Sequence, residues 1–177
     1  MNILVRTVPG HTVLRPDTSW ERYNRDFYLP DDLSQISFTP VAVARICKPG
    51  RCVGARFVQR YLDAFGYGIL LYPDDLDDGS PEGFAAAGCV DGTTLIELPE
   101  SPALEGGCTL YRDGAVIFST PAPAIDWGAQ LEAASRFTYI RSGDLLAVEL
   151  AARAPLTRRE ETPVRITGPS IDFRIIG

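Results

Sequence analysis

Asp74, Asp75, Asp77 and Asp78 form the densest run of oxygen donors in the chain. Carboxylate and carbonyl oxygens are what hard divalent cations take, so a cation is the ligand such a run would hold. The spacing does not match the loop of a helix–loop–helix calcium site, which also needs a glutamate at its twelfth position. A solvated acidic loop is the default reading. His11 is the single histidine, and its side chain is the one type that ordinarily titrates near neutrality. It is the candidate base, set against the plainer reading of a loop histidine. With one histidine so placed, no nucleophilic triad can be assembled. Gly106-Gly107 precedes a strand rather than a helix, so it is no phosphate loop.

Arginine forks suit carboxylate ligands. Arg15, Arg45, Arg56 and Arg60 are the candidates to line such a cleft, and Arg56 and Arg60 stand one helical turn apart. Their bland alternative is an exposed helix face making surface ion pairs. Cys47 and Cys52 flank Lys48-Pro49-Gly50-Arg51, the outline of half a zinc site, but no second tight pair follows. Together with Cys89 and Cys108 they read as buried thiols of a reducing compartment. Lys48 is the only lysine, which removes most Schiff-base chemistry.

These groups sit in a chain of 177 residues with 45% hydrophobic and 23% charged residues, the ordinary mix of a soluble domain. One domain over 1–177 is expected, with 1–26 as a reduced, irregular N-terminal segment. The net charge is −6 without a basic stripe, which argues against nucleic-acid binding. No apolar run approaches the roughly 20 residues of a membrane helix. The first residues lack a signal-peptide pattern, so a cytoplasmic location is expected.

The elements that must position the candidate groups are mostly strands. Ile3 to Val5 reads as a short edge strand and Val41 to Cys47 as an alternating, β-branched one. Phe57, Val58, Tyr61, Leu62 and Phe65 share one face by three- and four-residue spacing, which predicts a helix over 53–65 stopped by Gly66. Tyr67 to Tyr72 reads as a buried strand, residues 73–82 as a polar loop, and 93–98 as another strand. Asp113-Gly114 between two apolar runs predicts a type I′ hairpin. Asp126 can cap a helix over 127–139, with Leu131, Ala134 and Phe137 on its inner side. Strands follow at 145–150, 164–167 and 171–176. Helices standing apart from runs of strands indicate an α+β, β-rich fold.

Several segments together resemble the fumarylacetoacetate hydrolase superfamily. Phe27-Tyr28-Leu29-Pro30 resembles its "FxLP" segment, and Arg56 to Ala64 (RFVQRYLDA) resembles "RFAxRYxDA". Tyr67 to Leu76 resembles "GxDxxxRDL", and Ser135 to Leu146 resembles "SRFxTLxxGDLI". Residues 171–176 resemble the closing strand, and Leu14 to Thr18 lies where the family often has "KPxS/T". The resemblance implies a rolled mixed β-sheet with a few flanking helices, and homodimers.

It also implies a chemistry. Magnesium or manganese chelates an oxo-acid and stabilises the enolate formed when a C–C bond breaks. Two glutamates of an "ExE" strand and an aspartate of the next hold the ion. An N-terminal histidine activates water, and a lysine assists. Carried over by position, the ligands fall on Thr39, Val41 and Leu70. The lysine has no counterpart, and Ala147-Val148-Glu149-Leu150-Ala151 replaces the "GTPAGVG" loop. Asp75 matches the aspartate of "RDL", which is not a ligand. One hydroxyl and two alkyl groups carry no charge to offset a dication, and buried leucine instead gains roughly 1.5–3 kcal/mol.

The leading expectation is therefore a non-catalytic relative without a cofactor, binding a small oxo-acid or an active paralogue. The alternative is an active hydrolase, isomerase or decarboxylase with a relocated metal, drawing on His11, Arg15, Asp74 and Asp75. A third is an unrelated β-rich binding domain.

Overall fold

The computed structural model describes residues 1–177. In chain order the strands begin with β1 (Asn2–Arg6), β2 (Thr12–Pro16), β3 (Trp20–Glu21), β4 (Phe27–Tyr28), β5 (Gln35–Ile46) and β6 (Leu62–Pro73). Helix α1 (Pro81–Ala87) precedes β7 (Thr94–Leu95), β8 (Cys108–Arg112) and β9 (Ala115–Thr120). Helix α2 (Trp127–Ser135) leads to β10 (Leu145–Glu149), β11 (Ala154–Arg158), β12 (Val164–Gly168) and β13 (Ile171–Ile176). The fold is α+β and β-rich, as expected. No helix is long and apolar enough to cross a membrane.

An eight-stranded sheet runs β2-β1-β10-β5-β6-β7-β3, with β11 also paired to β5. A five-stranded sheet runs β4-β13-β12-β8-β9. Both are mixed: β1/β10, β3/β7 and β4/β13 are parallel, and the other pairs are antiparallel. Alternation along β5 and β6 sorts the core, since successive strand side chains point to opposite faces. Ile36, Phe38, Ala42, Ile69 and Leu71 pack with Ile166, Phe173 and Ile175 of the smaller sheet. Val41, Val43, Leu70 and Tyr72 face the other way, onto Ile3, Leu145 and Ala87. Strands buried on both faces explain the near-continuous apolar runs.

The hairpin at Asp113-Gly114 forms as expected, with both residues at positive φ (49° and 84°). Asp126 caps α2, accepting from the Ala129 amide at 2.9 Å. The helix is shorter than its pattern suggested, and Phe137 lies beyond it with 82% of its surface exposed.

Four expectations need correction. Residues 1–26 are not irregular: they hold three strands, and β1 lies inside the sheet between β2 and β10 rather than at an edge. The helix over 53–65 is a single 3-10 stretch, Ala55–Arg60. Burial alternates over Leu62–Ala64 and is continuous from Tyr67, and the backbone pairs with β5 from Leu62 opposite Ile46 to Pro73 opposite Ile36. That ladder satisfies backbone groups a helix would have used. Gly66 is consequently a strand residue, and at Gly68 a Cβ would stand 2.5 Å from Ile96 Cγ1, so only glycine fits. The acidic loop ends early, because Ser80 caps α1 by accepting from the Gly83 amide. Three cysteines, Cys47, Cys52 and Cys89, are exposed; only Cys108 is buried. Burial pushes the Cys108 thiol up to about 11, as suits an unreactive core group.

Candidate functional site

The site is built where β5 loses a ladder partner. β10 pairs with β5 as far as Glu149 opposite Val41, and β11 resumes with Ala154 opposite Phe38. Leu150 still donates to the Pro40 carbonyl at 2.9 Å, but residues 151–153 leave the sheet. Proline explains the place. The N and O of an extended residue point to the same side, so the side that receives Leu150 is the side where Pro40 has no N–H to offer. The excursion sets Glu149 and Arg153 on either side of the level of Thr39.

On that face Thr39 stands directly opposite Leu70 across the β5/β6 ladder, with Val41 two residues along. All three are buried. A cavity of about 420 Å³ opens beside them, walled by Val8, His11, Thr39, Tyr72, Glu149 and Arg153. A second cavity of about 630 Å³ adjoins it, sharing Val13, Tyr72 and Phe84 and adding Arg15, Asp77 and Ser80.

Two arginines flank the Tyr72 ring. The Arg15 guanidinium carbon lies 4.2 Å from the ring centroid and that of Arg153 at 4.9 Å. Phe84 of α1 stacks on the same ring at 5.6 Å. Arg15 is 2% exposed and donates to the carbonyls of Leu71 (2.8 Å) and Thr93 (3.0 Å) and to the Thr94 hydroxyl (2.9 Å). Burial lowers its pKa, with Tyr72 and Glu149 pulling the other way. Arg153 is ion-paired with Asp77, whose side chain is 8% exposed. Glu149 accepts from the Val8 amide at 2.8 Å and from the Tyr72 hydroxyl at 3.4 Å. Burial raises its pKa, and those hydrogen bonds and the two arginines offset this only in part.

Two buried side-chain polar atoms in the chain lack a hydrogen-bond partner: Thr39 Oγ1 and Arg153 Nη1. Both belong to residues lining the 420 Å³ cavity. Leaving a buried donor unmet costs about 1–3 kcal/mol, and native proteins rarely do so.

The residues singled out from sequence are distributed unevenly about this site. His11 lines the cavity, held by backbone bonding to the Thr7 hydroxyl at 3.1 Å. Arg15 walls the neighbouring cavity. Asp74 and Asp75 do neither. Asp74 accepts from the Ser37 hydroxyl at 2.7 Å, and Asp75 accepts from the Ser34 amide (2.8 Å), the Ser34 hydroxyl (2.6 Å) and the Gln35 amide (3.1 Å). Asp78 accepts from the Ser80 amide at 2.9 Å. The four aspartates thus do not converge: two bond to residues 34–37, Asp77 pairs with Arg153, and Asp78 closes its own turn. Arg45 pairs with Asp63 at 2.8 Å, while Arg56 and Arg60 flank Phe57 at 4.7 and 5.5 Å. The four arginines form no common cleft. Sequence reasoning missed Tyr72, Asp77 as a partner, and above all Glu149 and Arg153. The signal was two charged residues standing in and just after the segment that replaces an uncharged glycine loop.

No three His, Cys, Asp or Glu side chains gather closely enough to hold a metal ion. Thr39, Val41 and Leu70 offer one hydroxyl and two alkyl groups, a donor set that does not fit magnesium or manganese.

Comparison with known proteins places this architecture. No protein-family model and no curated protein matches the chain. Solved structures do. Fumarylpyruvate hydrolase from Pseudomonas aeruginosa, in complex with Mn2+ and pyruvate, superposes with a TM-score of 0.81 at 14% identity, over 99% of this chain and 89% of that one. The 2-hydroxyhepta-2,4-diene-1,7-dioate isomerase of Mycobacterium marinum gives 0.79 at 19% identity, over 99% and 74%. A protein from Yersinia pestis CO92 ascribed to the fumarylacetoacetate hydrolase family gives 0.80 at 16% identity, over 99% and 92%. The chain has the fold of that superfamily.

Proposed function

We propose that this chain is a non-catalytic member of the fumarylacetoacetate hydrolase fold that binds a small oxo-acid in the cavity beside Thr39. The single observation carrying this reading is the chemistry at Thr39, Val41 and Leu70. These positions, which correspond by resemblance to the ligands of the family cation, are buried and contain no carboxylate. The cavity persists beside them, at a volume within the usual few hundred Å³ of a ligand site.

Loss of turnover follows from the same residues. Cleaving next to a carbonyl requires charge stabilisation where the enolate forms. An apolar valine and leucine supply none. His11 lines the cavity, but a base works only on a substrate already positioned for it. The aspartates of 74–78 do not supply a replacement centre, because Asp74 and Asp75 are bonded to residues 34–37, Asp78 to its own turn, and Asp77 to Arg153.

The test is an assay of acylpyruvate hydrolysis and oxaloacetate decarboxylation with added magnesium or manganese. Rates equal to the metal-only background support the reading; turnover above that background, abolished by a chelator, would defeat it.

A further inference from the structure

We infer that Arg153 and Thr39 form a metal-independent, two-donor clamp for the carboxylate of a small monoanionic acid. The inference rests on the reading of the cavity as a binding site and specifies what it holds. Its geometry is that of the excursion: the break in pairing beside Pro40 places Arg153 just ahead of β11, level with the stretch of β5 that carries Thr39, and both residues line the same cavity. Arg153 Nη1 and Thr39 Oγ1 are both buried and both unpartnered, and the two residues line one cavity. Thr39 is 1% exposed, so its hydroxyl has no bulk solvent to turn to.

The donors name the ligand class. A guanidinium N–H and a hydroxyl are complementary to a carboxylate, which has two oxygens and accepts from both. Arg153 is a charge that never deprotonates, so it supplies in covalent form the positive charge that a bound cation would otherwise bring. The remaining charges set the limit. Asp77 pairs with Arg153 and leaves Nη1 free, while Glu149 and Arg15 lie across the Tyr72 ring. With Glu149 at the wall, a second negative charge on the ligand would meet a carboxyl group rather than a donor. The cavity therefore favours one carboxylate attached to an uncharged body.

Pyruvate is the probe, because it is compact, monoanionic and carries an oxo group. Titration calorimetry in the presence of EDTA is expected to show pyruvate binding to the wild-type chain, and no binding of pyruvamide at concentrations that saturate with pyruvate. Arg153→Gln should weaken pyruvate roughly tenfold or more, as loss of a buried charged donor does. Thr39→Val, which keeps the shape and removes the hydroxyl, should weaken it about three- to tenfold. Arg56→Gln, outside both cavities, should leave affinity unchanged. Circular dichroism and thermal melting check that each variant folds. Should Arg153→Gln fail to fold, Thr39→Val and the pyruvamide comparison decide. Pyruvate bound equally by wild type, Arg153→Gln and Thr39→Val, or pyruvamide bound as well as pyruvate, overturns the clamp while leaving the binding site standing. No pyruvate binding to wild type with or without metal overturns the binding site itself. Binding that appears only when magnesium or manganese is added overturns both.

Discussion

Glu149 is a part-buried carboxyl group at the cavity wall whose pKa is raised, chiefly by that burial. Burial raises its pKa from the ordinary 4.5, so between that value and the folded value the folded chain keeps a proton that the unfolded chain has released. By linkage, its contribution favours folding at the acid end, and the advantage is lost as pH rises through the folded pKa. Glutamine retains the acceptor for the Val8 amide and has no such dependence. Melting temperatures of wild type and Glu149→Gln should therefore diverge in favour of the variant as pH goes from about 4 to about 8. A constant difference across that range would show that Glu149 is not perturbed. Taking the difference matters, because Asp26 and Asp172, held low by their ion pairs with Arg174 and Arg165, pull wild-type stability in the opposite sense. At this scale the sequence was partly legible. That Thr39, Val41 and Leu70 carry no carboxylate was readable from the sequence, and the structure adds that all three are buried. The role of Arg153 was not, since its meaning depends on a strand break and on an unpartnered Nη1, neither of which spacing reveals.

Elements with local determinants were legible, and those set by distant pairing were not. Asp113-Gly114 and the Asp126 cap depend on residues within a turn, and both formed as read. The apparent helix over 53–65 failed because its apolar spacing belongs to two elements, a 3-10 stretch and the start of β6. Tertiary pairing overrode local periodicity, and nothing in residues 53–65 alone records that β5 waits opposite. β11 was missed for a related reason: it carries Pro155 and pairs along β5 with a register shift. Asp75 illustrates a turn that looked like a ligand site. Its three accepted hydrogen bonds tie the approach to β5 onto the turn after β6, and they outweigh a burial effect in holding its carboxyl below the ordinary range. Asp75→Ala should destabilise the fold by about 1–2 kcal/mol, by analogy with loss of a helix cap. In urea this appears as a lower midpoint at unchanged slope. An unchanged midpoint would mean that the turn holds without it.

For the molecule as a whole, the fold is shared and the loss of chemistry is the proposal to be tested. Two mixed sheets, with β5 and β6 at the centre of the larger, reproduce an architecture whose solved examples include a manganese- and pyruvate-bound hydrolase. Here Val41 and Leu70 are packed into the core, and Arg153 lines the cavity beside them. A scaffold this extensively paired can change its cavity wall at a few positions without disturbing the ladder, because the backbone bonds do not depend on which side chains point inward. The most direct test is a crystal structure of the chain soaked with manganese and pyruvate, recorded with anomalous scattering. The account predicts pyruvate density at Arg153 Nη1 and Thr39 Oγ1 with no anomalous peak on that face. A manganese peak beside residues 39, 41 and 70, with pyruvate coordinated to it, would contradict the account.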